Sequence, residues 1–135
     1  MVKMTAFYEG EKHCEITHGP SSSVIHTDAP KDNNGKGEAF SPTDLVGAAM
    51  GTCMLTVMSI VAERDGVDLK GSKVEVEKEM GTNPRRIVKL NVTLHLPKSI
   101  PAEYRQKLEN TAMTCPVKQS VHPEMQVPVS FSYDV

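Results

Sequence analysis

After Asp44 the chain carries no charge until Glu63, and this uncharged stretch constrains the fold more than any other feature. Ser41 suits a helix N-cap, Pro42 suits the first helical position, and Asp44 stands three residues after the cap as a near variant of the capping box. Gly66 supplies a stop, so the pattern predicts a helix from about 42 to 64. Leu45, Val46, Ala49, Met50, Met54, Leu55, Val57, Met58, Ile60 and Val61 fall on every side of it. A helix that is apolar all round must be covered all round. A small sheet covers one side only, so a second copy of the chain is expected on the other. That predicts a homodimer in which these helices meet, with Gly47, Ala48, Gly51 and Thr52 small enough for close backbone approach. The alternative is a sheet that curls around the helix within one subunit. The stretch is about long enough to span a membrane. Gly47, Thr52, Thr56 and Ser59 dilute it, and its flanks lack aromatic or basic anchors, so no membrane span is expected.

The remaining segments alternate. Residues 2–8, 12–18 and 22–28 read as three short strands of an antiparallel meander, and Ala29–Phe40 reads as a long loop rich in Gly, Asn and Pro. Val74 and Val76 alternate with Glu75 and Glu77. In the next strand Val88, Leu90, Val92, Leu94 and Leu96 share one face against Lys89, Asn91, Thr93 and His95. Tyr104, Leu108 and Ala112 form the stripe of a second helix, and Pro116 opens a short third one. Val127, Val129, Phe131 and Tyr133 mark a last strand. The whole chain, 1–135, has the size of a single domain.

A net charge of −2 and the absence of a basic-aromatic surface argue against a nucleic-acid partner. The N-terminus shows no apolar run before a cleavage site, and three cysteines is an odd number. Together these predict a cytoplasmic protein with reduced thiols.

Cys53 lies inside the apolar helix, where a buried cysteine needs no function. Cys115 precedes Pro116 at a helix start, where unpaired N–H groups and the dipole favour thiolate and predict a lowered pKa. The two would form a redox pair if the fold brings them together and leaves both reachable. No metal is expected. His13 and Cys14 are adjacent and point to opposite faces of a strand, Cys115 and His122 are seven apart, and no paired ligand spacing occurs. Cys14 reads as a strand residue without redox work, and His95 as an exposed residue of a polar face. His122 stands close enough in sequence to assist a thiolate at Cys115, or simply ends a helix. Arg85 and Arg86 follow a turn and read as solvated.

The segments "SPTDLVGAAMGTCMLTVM" and, sixty-odd residues later, "CPVKQSV" resemble the OsmC/Ohr family of organic hydroperoxide reductases. The match runs from about Val24 to the end. The resemblance implies an α+β OsmC-like fold, with long central helices packed between curved antiparallel sheets in an intertwined homodimer. It also implies two active-site thiols at the dimer interface and a cofactor-free, metal-free thiol peroxidase. Cys53 would attack an alkyl or lipid hydroperoxide, Cys115 would close a disulfide on it, and a dithiol would reduce that bond. Strongly active members hold the thiolate with an N-terminal Arg and a Glu at the start of the long helix. Here no Arg precedes Arg64, and Thr43 stands at the Glu position with Asp44 one place later. Asp44 resembles the acid of a divergent branch, and it also suits a capping box. Lys31 or Lys36 could supply the missing charge, although both read first as solvated loop residues. Two other functions fit these departures: a catalytically weak relative that binds a small apolar ligand, and a general thiol–disulfide exchanger.

Overall fold

The computed structural model describes residues 1–135. Contacts divide the chain into two compact units, Met1–Val46 and Gly47–Val135.

The first unit is built on strands β1 (Met4–Gly10), β2 (His13–His18) and β3 (Val24–Asp28), paired antiparallel in chain order. Glu11 and Lys12, at φ 51° and 60°, make the β1–β2 turn with the positive φ pair that suits a right-handed hairpin twist. The β1–β2 register moves from Tyr8 opposite Cys14 to Gly10 opposite His13, so Glu9 is the extra residue of a bulge. The sheet has little apolar core of its own. Every residue from Met4 to Glu9 is exposed, including Phe7 at 63% and Tyr8 at 69%. Residues 29–40 hold only a single 3-10 turn at Lys31–Asn33.

Helix α1 (Pro42–Arg64) spans the bounds that its sequence predicts. Ser41 and Asp44 close a reciprocal capping box. The Ser41 amide donates to the Asp44 carboxylate at 2.8 Å, and the Asp44 amide donates to Ser41 Oγ at 3.1 Å. By length and composition alone the helix could cross a membrane, with a mean hydropathy of 2.0. Its stripe Gly47, Met50, Gly51, Met54, Met58 and Ala62 is nevertheless buried within the protein.

The second unit adds β4 (Lys73–Gly81), β5 (Arg86–Leu96), α2 (Ala102–Ala112), α3 (Pro116–Ser120) and β6 (Val129–Tyr133). Strands β4 and β5 form an antiparallel hairpin, whereas β6 pairs parallel to β5, from Val92–Val129 to Leu96–Tyr133. That pair departs from the antiparallel sheets the resemblance implies. Two helices separate the strands in sequence, and such a crossover returns the chain in the same direction. The alternation in β5 holds, with Leu90, Val92, Leu94 and Leu96 fully or almost fully buried. At its start a register shift makes Ile87 the buried residue in place of Val88.

The sheet packs on α1 where the helix has no side chains. A Cβ on Gly51 would come 2.8 Å from Val76 and 3.1 Å from Val74, and one on Gly47 would come 3.5 Å from Val76. Gly47 and Gly51 therefore serve packing within the chain, not the close approach of a second helix expected from sequence. Three fully buried methionines, Met50, Met54 and Met58, fill the layer between them. Helix α2 docks on the end of α1 through Tyr104, whose hydroxyl donates to Asp65 at 2.7 Å. Lys107 Nζ lies 2.6 Å from the same carboxylate.

Candidate active site

Cys53 faces out from the middle of α1 and is half-buried. Cys115 occupies the N-cap position of α3, follows α2 after a short turn, and is fully buried. These elements bring the two thiols close enough to perturb each other. All three cysteines are free.

The electrostatics of Cys115 differ from the expectation. Its pKa is raised, first by burial, which disfavours the thiolate, and then by the neighbouring Cys53 thiol. The amides of Lys118 and Val117 pull the other way, but α3 has only five residues and closes no side-chain cap bond on the sulfur. A helix N-terminus was enough to predict a lowered value from sequence. Burial outweighs it here, because that signal says nothing about what covers the sulfur. The expectation that both thiols are reachable also fails for Cys115. Solvent meets the pair through Cys53.

The other candidate residues each have their own place in the fold. The Asp44 carboxylate accepts from the Ser41 amide in the capping box. Lys36, one candidate for the missing cation, pairs with Glu11 at 2.6 Å. Lys31 is exposed at the start of the 3-10 turn. His122 is exposed, and its Nδ1 accepts from the Glu124 amide at 3.1 Å. His95 is not exposed as expected. It is held between Asp134, 2.9 Å from Nδ1, and Glu75, 3.6 Å from Nε2. Cys14 sits on β2 opposite Thr27. Arg86 lies 3.4 Å from Glu124.

A cavity of about 600 Å3 opens beside α1, lined by Leu55, Thr56, Ser59, Leu69 and neighbouring residues. Neither thiol lines it, so the chemistry available to the cysteines is at the thiol pair itself. Two free thiols this close, one reachable and one enclosed, can do a specific thing. The reachable sulfur can be oxidised from outside, and the enclosed one can condense with it.

Comparison with known proteins gives the same fold throughout. A protein of Psychrobacter arcticus 273-4, described as an osmotic stress induced and detoxification response protein, is 37% identical. The match covers 97% of this chain and 96% of that one, with a TM-score of 0.93. The organic hydroperoxide resistance protein OsmC of Legionella pneumophila is 20% identical over 98% and 96% of the two chains, with a TM-score of 0.74. The organic hydroperoxide resistance protein OhrB of Bacillus subtilis is 18% identical over 98% of each, with a TM-score of 0.70. No curated protein matches the chain significantly. The profile of the OsmC-like protein family matches residues 35–130, a span that holds the capping box, both thiols of the pair and the whole α1–β4–β5 layer. With an α+β architecture of this order and that match, the chain belongs to the OsmC-like protein family.

Proposed function

We propose that the protein is a cysteine-based thiol peroxidase that reduces organic hydroperoxides. The observation that carries this reading is the proximity of the Cys53 and Cys115 thiols, each of them free and close enough to perturb the other. The detoxification and hydroperoxide-resistance descriptions of its relatives support it. Cys53, as thiolate, attacks the outer peroxide oxygen of ROOH. The O–O bond breaks, Cys53 becomes sulfenic acid, and the alkoxide takes a proton and leaves as alcohol. The sulfur of Cys115 then attacks the sulfenic sulfur. The S–O bond breaks, and hydroxide leaves with the Cys115 proton as water. A cellular dithiol attacks the resulting disulfide and restores both thiols while becoming a disulfide itself. Burial suits this order, because a resolving thiol needs access only to its neighbour's sulfur. No step requires a bound cofactor.

Asp44 enters the proposal as the acid in the first turn of the helix that carries Cys53. The same reading extends to a homodimer in a reducing, cytoplasmic compartment. Its support is uncovered apolar surface: Phe7 and Tyr8 of β1 and, at 46% exposure, Ile60 of α1. A second reading, a catalytically weak protein that binds a small apolar molecule, draws on the cavity that neither cysteine lines.

One equivalent of cumene hydroperoxide, followed by thiol counting with mass spectrometry, separates the two. The peroxidase is expected to lose two of its three thiols within seconds, to retain Cys14, and to lose none as Cys53→Ser. Thiols that survive minutes of exposure overturn the peroxidase and leave the binding reading.

A further inference from the structure

Far from the cysteines in sequence, three side chains of the first sheet converge. His13 on β2 stands opposite Asp28 on β3, and Glu15 stands opposite His26, so His13 and His26 are diagonal neighbours on one face. The bulge at Glu9 turns a third side chain toward them. His13 Nε2 is 3.3 Å from His26 Nδ1, and Glu9 Oε1 is 3.7 Å from the first and 3.8 Å from the second. The two rings are 19° from parallel, with centroids 5.2 Å apart, and meet nitrogen to nitrogen.

These separations are long for hydrogen bonds. They are close to what a cation requires. Bonds of about 2.0–2.1 Å in a tetrahedral site set the ligand atoms roughly 3.3 Å apart. All three donor atoms lie within 4.8 Å of one another. A second observation points the same way. The Asp28 carboxylate, 4% exposed, binds His13 Nδ1 at 2.5 Å with one oxygen and accepts the Glu38 amide at 2.9 Å with the other. A carboxylate behind an imidazole fixes the ring and its tautomer, leaving the Nε2 lone pair facing outward. Asp28 thus holds His13 in the form a metal needs.

We propose that Glu9, His13 and His26 form a site for a divalent transition-metal cation of the zinc type, with Asp28 as the orienting carboxylate behind His13. Two imidazoles and one carboxylate select such an ion over calcium or magnesium, which take oxygen ligands. Both histidines and Glu9 are partly exposed, so the cation enters from solution and keeps an open position for water. The site ties β1, β2 and β3 together, in a sheet whose first strand has no covered residue except Gly10. Reading along the chain missed it, because its ligands are assembled by cross-strand register and a bulge.

The test is titration of the folded, reduced full-length protein with zinc by calorimetry, in a Cys14→Ser, Cys53→Ser, Cys115→Ser background that removes the competing thiols. One equivalent is expected to bind. Asp28→Asn should weaken it by about 10–100-fold, His13→Ala or His26→Ala should abolish it, and His18→Ala on the same strand should leave it unchanged. If the triple variant does not fold, cobalt added to the wild-type protein reports the ligands directly. Visible d–d bands without thiolate charge transfer are expected, and these should vanish with His26→Ala. Absence of binding, binding that persists without both histidines, or a thiolate charge-transfer band as the sole signal overturns the site.

Discussion

At Cys115 two local effects compete, and burial prevails over the amides of α3. The raised pKa leaves this thiol protonated at neutral pH, so disulfide closure should be limited by its small thiolate fraction. The closure rate, followed by loss of a sulfenate-reactive probe, is therefore expected to rise about tenfold per pH unit. The rise should continue past pH 9, the thiol's ordinary value, before it levels. A plateau below pH 8 would contradict the burial. Asp44 poses the complementary question, since its carboxylate already accepts the Ser41 amide. Asp44→Asn keeps an acceptor for the Ser41 amide and removes the charge. It is expected to slow peroxide-driven thiol loss severalfold, and an unchanged rate would reduce Asp44 to a cap. The cap itself was readable from Ser41, Pro42 and Asp44 because capping is local. The acidity of Cys115 was not, because it depends on what surrounds the sulfur in three dimensions.

Among the elements, α1 and β4 meet at two glycines that behave oppositely. Replacing glycine by alanine in a helix gains about 1 kcal/mol from backbone entropy. At Gly47 the added methyl meets Val76 and Leu90 at ordinary contact distances, so Gly47→Ala should stabilise by up to about 1 kcal/mol. At Gly51 it would strike the stiff side chain of Val76, and overpacking costs about 1–3 kcal/mol. Gly51→Ala is expected to lower stability by up to about 2 kcal/mol net, read from urea midpoints at constant slope. The bounds of α1 followed from its capping and stop signals, and the alternation of β5 from periodicity. The parallel pairing of β6 did not, because periodicity marks which face a residue takes and is silent on strand direction. The shift that buries Ile87 in place of Val88 was hidden for a related reason: a bulge resets the alternation without leaving a mark in composition.

For the molecule as a whole, the apolar residues exceed what one chain covers. Phe7, Tyr8, Ile25 and Ile60 remain at least 46% exposed. Scattered exposed apolar residues are ordinary, but three of these four sit on one small sheet. Light scattering at micromolar concentration is expected to give twice the 14.8 kDa chain mass. A Phe7→Glu, Tyr8→Glu variant should shift that equilibrium toward the single chain. A wild-type monomer at high concentration would refute the dimer.

The parallel return of β6 bears on how the chain is made. The β4–β5 hairpin is complete once Leu96 has emerged from the ribosome, but its neighbour β6 begins only at Val129. Until then the Val92–Leu96 edge of β5 lies open to any passing strand. Nascent or truncated chains ending before Val129 should accordingly clump, and β6 doubles as a guard against that fate.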